Sequence, residues 1–542
     1  MARLSPSALL ASLTLGMFVV ACATPPARPD AAGPDPRTDP RGALQQAGKG
    51  AFLSGAPTGL LSPTVLNERD FVYGLAFAPS SDLVAFVHHV STHMELTATG
   101  IEPVAPRFQQ KVNASEFDCE DVVIVGDRII VPSRQGTLRA FDANSGAPLL
   151  ELSIGEPILR VALSPDQGSL ALGTDEGRII VVDTVTFAQQ GDARLHEDEV
   201  RGLAYLADGR LLSAALDGKL QIVRLNTLAT AGTQPEVHVP TSPLPSSTDR
   251  VFLAHLGGSR AVATLRDLRQ PTTVISRAAV KRLELRTVDG TTLPVPTAEG
   301  TRDLPAVDLG EVHLRTLNLG AVRAAVCDTC VPLGGELVLG QDVLSSLQIT
   351  EDVAHDSLVV RPSKEGGARM LDSARVLVRE AEITLPGPAT DLDANAAGVL
   401  VTFSHARAER SFDINDAERK GSYPPPSANS GAAIVDVNGK KLGRTFVARH
   451  KGFTVTGALS PDGRTVVTGG WDKRVLVFDA TTGELVTERS LAWLVRRVRI
   501  TPDGRLLGVA AWTPVSVLNE GKSEPSLLLY PLELDNITVA RR

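Results

Sequence analysis

The chain has 542 residues, of which 43% are hydrophobic and 21% charged, a composition typical of globular domains rather than of disordered chains. This length exceeds what one ordinary core accommodates, so more than one structural unit is expected. A net charge of −8, together with a sequence that has no basic cluster, excludes nucleic acid as the expected partner.

The amino terminus has the pattern of an export signal. Arg3 precedes an apolar run at 8–20 that is short for a membrane span, and the run leads into Val-Val-Ala-Cys at 19–22. This pattern resembles a bacterial lipobox, and the resemblance implies cleavage before Cys22 and acylation of that residue. The alternative is a plain signal peptide with a chance cysteine. Residues 1–21 are thus expected to be a lipoprotein signal peptide.

A tether and a location follow from the same resemblance. Residues 22–48 are rich in proline, alanine and glycine and are expected to be disordered, because they cannot bury a core. Ala23, rather than Asp, follows the cysteine, which in such lipoproteins implies anchoring at the outer membrane. The expected location is the bacterial cell envelope, facing the periplasm.

One short turn motif, which we call the turn phrase, occurs four times in the sequence. The copies are SPDQG (164–168), LADGR (206–210), SPDGR (460–464) and TPDGR (501–505), with a long gap between the second and the third. Asp166 and Asp208 are 42 residues apart, and Asp462 and Asp503 are 41 apart. Short alternating strands with a period of about 40–45 residues are typical of β-propeller blades. Seven first turns can be placed, near Pro79, Gly126, Pro165, Asp208, Asn395, Asp462 and Asp503.

The blades resemble WD repeats, a family in which a His at the blade entrance hydrogen-bonds the Asp of the second turn. His196 with Asp217, and His450 with Asp472, occupy those positions. The resemblance implies buried structural pairs rather than catalytic dyads, since buried polar groups need partners. We therefore predict an all-β chain in which residues 49–240 supply blades 1–4 and residues 367–542 supply blades 5–7 of a seven-bladed propeller.

A domain whose sequence lacks the repeated turn motif is predicted at 246–366. It begins with a Gly257-Gly258 hairpin and an apolar strand that leads to Asp267, continues with Thr-Val-Ile-Ser at 273–276, and closes with LGQDVL at 339–344. These features resemble the single-lobed aspartic proteases of the retropepsin type. The resemblance implies a β-rich lobe with Asp267 at the catalytic position.

The neighbours of Asp267 depart from the family's Asp-Thr-Gly. Leu268 replaces the threonine that braces the two lobes, and Arg269 replaces a glycine whose lack of a side chain admits the catalytic water. Arg269, with Arg266 on the other side, is expected to hold Asp267 ionised, whereas a protease dyad shares one proton. We therefore expect a non-catalytic lobe that binds a protein or an extended peptide. The alternative is a membrane-tethered aspartic endopeptidase that acts as a dimer through Asp267.

Cysteine and histidine give no cofactor prediction. Cys327 and Cys330 are spaced for a local disulfide outside the cytoplasm, and no partner is predicted for Cys119. His88, His89 and His93 are assigned to a solvated blade loop rather than to a metal site. No metal or cofactor is predicted, and the sequence names neither the partner nor the oligomeric state.

Overall fold

The computed structural model describes residues 63–67, 71–90, 93–113, 120–227, 236–244, 249–257, 260–353, 356–364, 366–371, 374–405, 425–512 and 526–532. These residues form an all-β structure that contains seven four-stranded antiparallel sheets and one inserted unit. Many small antiparallel sheets of this kind are consistent with a propeller-like fold.

Sheets 1 to 3 follow one another along the chain, and each consists of four consecutive strands. A short strand, β1 (Thr64–Asn67), precedes them. The strands are β2 (Phe71–Phe77), β3 (Leu83–Val90), β4 (His93–Ile101) and β5 (Val104–Asn113) in sheet 1; β6 (Val123–Val125), β7 (Arg128–Pro132), β8 (Thr137–Asp142) and β9 (Pro148–Ser153) in sheet 2; and β10 (Ile158–Leu163), β11 (Ser169–Thr174), β12 (Arg178–Asp183) and β13 (Gln189–Arg194) in sheet 3.

Sheet 4 begins with three strands and is then interrupted by residues 228–374, which we call the insert. The three strands are β14 (Val200–Tyr205), β15 (Leu211–Ala215) and β16 (Lys219–Thr227). The insert contains β17 (Val237–Pro240), β18 (Ser242–Pro243), β19 (Arg250–Leu256), β20 (Arg260–Arg266), β21 (Val274–Ile275), α1 (Arg277–Arg282), β22 (Thr287–Thr297), β23 (Gly300–Leu314), β24 (Leu317–Val326), β25 (Leu337–Leu339), α2 (Gln341–Leu344), β26 (Leu347–Asp352), β27 (Ser357–Pro362) and β28 (Arg369–Met370).

The insert has two sheets and its own apolar core. A nine-stranded sheet has the order β18-β19-β20-β25-β21-β24-β23-β22, with β28 also on β24, and a three-stranded sheet has the order β17-β27-β26. Buried side chains from both sheets and both helices, such as Leu256, Ala279 and Leu344, form one cluster. A continuous cluster of this kind is what one compact domain requires.

Sheet 4 is completed beyond the insert by β29 (Arg375–Thr384), which pairs with β16 from Lys219↔Thr384 to Thr227↔Arg375. The insert therefore lies between the third and fourth strands of one sheet. The predicted boundary at 240 differs from this arrangement, because Val237–Pro240 pairs with β27 of the insert rather than with sheet 4. Strand β17 is an ordinary apolar run, so the sequence did not reveal which sheet it joins.

The last three sheets follow in chain order, and the amino-terminal strand completes the seventh. The strands are β30 (Ala389–Asn395), β31 (Gly398–Phe403), β32 (Gly431–Asp436) and β33 (Lys441–Val447) in sheet 5; β34 (Thr454–Leu459), β35 (Thr465–Gly470), β36 (Arg474–Asp479) and β37 (Leu485–Ser490) in sheet 6; and β38 (Leu494–Ile500), β39 (Leu506–Trp512) and β40 (Leu527–Pro531) in sheet 7. Strand β1 pairs antiparallel with β40 as the fourth strand of sheet 7.

The first strands of the seven sheets contact one another in a closed order: β2, β6, β10, β14, β30, β34, β38 and back to β2. Among the described residues, six of the seven sheets have a register shift at the same point of this strand, as between Ile158 and Arg160 or between Val495 and Arg497. A bulge re-aims the side chains that flank it. In sheets 5, 6 and 7 the residues just after the shift contact one another, since Asp391 accepts from Thr456 at 2.7 Å and from Arg497 at 2.9 Å.

Candidate functional site

Asp267 lies at the end of β20, where three strands of the insert meet. Strand β20 runs parallel to β25, which pairs on its other side with β21. The backbone N–H of Asp267 donates to the carbonyl of Leu339 at 3.1 Å, and the N–H of Gln270 donates back to the carbonyl of Asp267 at 3.1 Å. Main-chain bonds on both sides thus fix the position of the aspartate.

Thr273 and Asp342 join the other end of this loop to the start of α2. The hydroxyl and N–H of Thr273 donate to the two carboxylate oxygens of Asp342 at 2.8 and 2.9 Å, and the same hydroxyl accepts from the N–H of Gly340 at 3.1 Å. A Cβ on Gly340 would lie 2.6 Å from the carbonyl carbon of Thr272, so the two segments approach too closely for any other residue. The two phrases identified in the sequence therefore contact each other.

Arg269 neutralises Asp267. The N–H and Nε of Arg269 donate to Oδ1 of Asp267 at 2.9 and 3.1 Å, and Nη2 lies 3.4 Å from Oδ2. Partial burial raises the pKa of Asp267, but the hydrogen bonds and charge of Arg269 outweigh it and hold the pKa below the ordinary value. Asp267 is therefore a carboxylate with both oxygens engaged at neutral pH.

Arg266 does not contribute to this effect, contrary to the prediction. Its guanidinium forms an ion pair with Glu351 of β26 instead. Successive residues of a strand point to opposite faces, so adjacency in sequence did not place Arg266 beside the carboxylate. Leu268, the other departure from the protease motif, is 62% exposed, and its carbonyl accepts from the Gln341 side chain at 2.7 Å.

The site contains one acid rather than a pair. Within the described ranges no second carboxylate hydrogen-bonds Asp267, whose side-chain partner is Arg269. Proton-sharing acid–base chemistry needs two carboxyls in contact. A single copy of this site therefore presents one carboxylate, which is already bonded to Arg269.

The cysteines and the repeat histidines lie away from Asp267. Cys327 and Cys330 form a disulfide in the turn after β24. His196 Nδ1 lies 3.0 Å from Asp217, and His450 Nδ1 lies 2.9 Å from Asp472, with both histidines buried. Their second ring nitrogens bond Ser213 and Thr468 at 2.9 and 2.8 Å. Each His–Asp pair therefore joins the segment that enters a sheet to the turn between the second and third strands of that sheet.

The histidines of sheet 1 are not in a solvated loop, and this expectation was wrong. His88 and His89 are 3% and 7% exposed on β3, and His93 begins β4, where Nε2 lies 2.7 Å from Glu95. Strand β3 is buried along almost its whole length, which accounts for the difference. Within the described part of the chain, no group of three metal-ligating side chains is close enough to hold an ion.

Sequence analysis missed a buried ionic cluster where the first strands meet. Asp391 of sheet 5 accepts from Arg497 at 2.9 Å and from Arg499 at 2.8 Å, and Glu120 accepts from Arg160 at 3.0 Å. Burial raises the pKa of Glu120, but four surrounding arginines outweigh it and lower that pKa well below its ordinary value. A signal existed, because Arg160 and Arg497 both stand six residues before the aspartate of a turn phrase, Asp166 and Asp503.

Two other expectations concern residues without a structural description. Cys22, with the signal and tether at 1–48, and Cys119 lie outside the described residues. Across the described ranges, no helix combines the length and apolarity needed to cross a bilayer.

Comparison with known proteins concerns the repeats. The family model "WD domain, G-beta repeat" matches residues 441–479, a stretch that includes His450 and Asp472. WD repeat-containing protein 55 of Arabidopsis thaliana is 26% identical over 159 residues, or 29% of this chain and 44% of that protein. The chain therefore spans less than half the length of this relative. The prediction of a WD repeat is confirmed at 441–479, and such domains generally mediate protein interactions.

Proposed function

We propose that this chain is a lipid-anchored propeller scaffold of the bacterial cell envelope, whose insert is a retropepsin-like lobe that binds a protein or extended peptide without cleaving it. The observation that carries the proposal is the engagement of Asp267 by Arg269. The carboxylate that would serve catalysis has a guanidinium where the proteases have a bare glycine.

Two features support a seven-bladed propeller. The first strands contact one another in a closed order, and β1 supplies the fourth strand of the last sheet. Pairing of an early strand with a late strand in one sheet is the way in which a propeller closes its ring. A closed ring offers a rigid platform, which suits a scaffold better than a hinged enzyme.

The retropepsin-like interpretation of the insert has support from the contact between its two motif segments. Thr273 and Asp342 hold the Asp267 loop against α2, and the long hairpin of β22 and β23 follows α1. The family binds extended peptides by main-chain hydrogen bonds. The outer strand β22 is a poor docking edge, because Pro294 and Pro296 have no N–H to donate to a further strand. The proposed peptide site is therefore the loop of Asp267, where Leu268 presents exposed apolar surface.

The test of non-catalysis is cleavage of a mixed peptide library between pH 4 and 7 by wild type and Asp267→Asn. We expect equal, background-level cleavage by both proteins. Cleavage by wild type that disappears in the variant would favour the alternative, a dimeric aspartic endopeptidase. Restoring the protease motif with Leu268→Thr and Arg269→Gly in one chain is a positive control for the assay.

The anchor and the location are tested separately from the lobe. Cys22→Ser is expected to abolish incorporation of labelled palmitate and to move the protein from the membrane to the soluble fraction of a Gram-negative host. Cys119→Ser serves as the matched control, which should leave both properties unchanged. Membrane association of the Cys22 variant without labelling of wild type would contradict the lipid anchor.

A further inference from the structure

A cavity of about 490 Å³ lies where the insert meets sheets 2 and 3. One wall is the turn between β9 and β10, which includes Glu156, together with Arg178 of β12. The opposite wall comes from the insert and includes His313, Arg315 and Ser357. The volume is within the range of small-molecule sites, about 300–1,000 Å³. This cavity is distinct from the Asp267 loop.

The charges in the wall of this cavity balance one another. Arg315 Nη2 lies 2.6 Å from Glu156 Oε1, Arg178 Nε lies 3.4 Å from the same oxygen, and Arg178 also pairs with Asp192. These four side chains are at most 7% exposed, and they comprise two cations and two anions. An ion brought into the cavity would be a buried charge without a counterion, which is costly.

Some polar atoms of the lining residues remain able to form further hydrogen bonds, although the charges of the wall are balanced. In the described part of the chain, six buried polar atoms of the lining residues make no hydrogen bond of regular geometry: Glu156 Oε2, Arg178 Nε, Gln189 Nε2, His313 Nε2, Arg315 Nη1 and Ser357 Oγ, although Arg178 Nε lies 3.4 Å from Glu156 and His313 Nε2 lies 3.6 Å from Glu311. Arg315 Nη1 is 3.8 Å from Asp192, beyond hydrogen-bonding distance. Buried polar groups are nearly always bonded to protein, to ordered water or to a ligand, so this wall presents groups that a ligand in the cavity can bond. The set includes N–H donors and a carboxylate acceptor.

The rest of the lining is largely apolar, with Glu176, Arg194, Thr241, Ser242, His255 and Asp356 as its other polar or charged members. It includes side chains from the sheets and from the insert, namely Leu152, Ile154, Phe187, Val239, Val251 and Leu371. Sites that combine an apolar wall with a few convergent polar groups are typical of small-molecule binding. The ligand therefore needs an apolar body as well as a polar end.

We propose that this cavity binds an uncharged amide carried on an apolar body. An amide carbonyl accepts from the guanidinium N–H groups of Arg178 and Arg315, and an amide N–H donates to the free oxygen of Glu156. A carboxylate of the same shape accepts bonds but adds a charge that the balanced wall does not neutralise. The source is either a small free amide or a segment of a peptide chain, and both present this chemistry.

The test uses N-acetyl-L-leucinamide and N-acetyl-L-leucine, which share one shape and differ in an amide against a carboxylate. Calorimetry and ligand-observed NMR with the full-length protein are expected to give the amide a Kd on the order of 1 mM, the scale of a fragment of this size. The acid is expected to bind at least about tenfold more weakly, the scale of one uncompensated charge. Equal or tighter binding of the acid, or no binding of the amide, would overturn the proposal.

Two pairs of variants assign the binding to this cavity. Ala263 lines it, so Ala263→Phe is expected to abolish amide binding, while Ala321→Phe on the exposed face of β24 leaves binding unchanged. Arg315→Lys keeps the charge but removes the Nη1 donor, so it is expected to weaken binding about tenfold, with Arg323→Lys as its exposed control. Thermal melting establishes that each variant is folded. Unchanged binding by both cavity variants would place the amide elsewhere and refute the assignment.

A longer probe separates the two sources. Tighter binding of N-acetyl-Ala-Leu-Ala-amide than of N-acetyl-L-leucinamide supports a peptide segment that passes through the cavity. Weaker binding of the longer probe supports a free small amide. The cavity variants separate this proposal from the function proposed for the Asp267 loop: amide binding that is lost in Ala263→Phe and weakened in Arg315→Lys belongs to the cavity, and amide binding that persists unchanged in both belongs elsewhere.

Discussion

The His–Asp pairs of sheets 4 and 6 and the Arg269–Asp267 pair of the insert each join an aspartate to a basic partner, but they lie in opposite environments. In sheet 6 the side chains of His450 and Asp472 are 2% and 3% exposed, and the same arrangement recurs in sheet 4 with His196 and Asp217. In the insert, the side chains of Asp267 and Arg269 are 34% and 92% exposed. The buried pairs hold turns together, whereas the exposed pair changes the chemistry of one loop.

This difference separates stability from function. Breaking a buried pair leaves a group that neither water nor protein satisfies, and the free energy of unfolding falls accordingly. Removing one partner of an exposed pair exposes the other to water at little cost. Variants of the sheets should therefore be detected by denaturation, and variants of the Asp267 loop by titration or binding.

The largest effect is expected for Asp391→Ala, which removes the common partner of Arg497 and Arg499. The free energy of unfolding should fall by about 3–5 kcal/mol, because two guanidinium groups lose a buried counterion. Urea denaturation monitored by circular dichroism measures this change. Asp303→Ala, at an exposed position of the insert, is the control and should leave the midpoint unchanged. Equal denaturation midpoints for Asp391→Ala and Asp303→Ala would contradict the expectation that a buried ion pair of the sheets contributes more to stability than an exposed residue of the insert.

A pH effect is expected at the contact between the insert and sheet 2, where His255 donates from Nε2 to the carbonyl of Ser153 at 2.8 Å. Burial lowers the pKa of His255 to about 4. The folded state then binds fewer protons than the unfolded state between about pH 6.5 and 4. Stability from this group is complete above pH 6.5 and falls by roughly 3 kcal/mol as the pH falls through that window.

The quantity to measure is the difference in unfolding free energy between wild type and His255→Gln from pH 7.5 to 4.5. Asp175 changes stability in the opposite sense, since burial raises its pKa to about 6, but it is present in both proteins and cancels in the difference. Wild type should lose its advantage as the pH falls. A difference that is constant with pH would show that His255 is not held neutral.

The smallest effect on stability is expected for Arg269→Ala, at the exposed pair. The pKa of Asp267 should rise toward its ordinary value, because the hydrogen bonds and charge that lower it are removed. Carboxyl-carbon NMR of labelled aspartate measures that change, and the denaturation midpoint should remain that of wild type. Arg266→Ala is the matched control and should leave the Asp267 titration unaltered, since Arg266 pairs with Glu351.

The structural features that the sequence predicted well are those that depend on repeated motifs or on residues close together in sequence. The spacing of the turn phrases indicated small antiparallel sheets, and residues 450 and 472 are close because each stands at a fixed place in its repeat. The contact of Thr273 with Asp342 joins two segments that the sequence singled out separately. A repeated motif shows several times, within one sequence, which residues occupy a given structural position. A sequence without repeats shows each position only once.

The sequence did not predict which strands and side chains pair when they are far apart in the chain. Strand Val237–Pro240 was assigned to the sheets, and Arg266 to the carboxylate of Asp267, because each lies next to those features in sequence. Strand faces and sheet partners are decided by packing, which adjacency does not encode. The buried cluster around Asp391 was missed for the same reason, since its arginines come from strands more than 100 residues away.

The pairing of Thr64–Asn67 with Leu527–Pro531 has a consequence for the order of synthesis. A ribosome, or an export channel that passes the chain amino end first, delivers the first of these strands long before the second. Until β40 emerges, β1 lacks its hydrogen-bonded partner strand, and sheet 7 is incomplete. Contacts between residues so far apart in sequence form slowly. This pairing therefore forms only after the whole intervening chain has been made, so that β1, one of the first strands made, is among the last to find its partner.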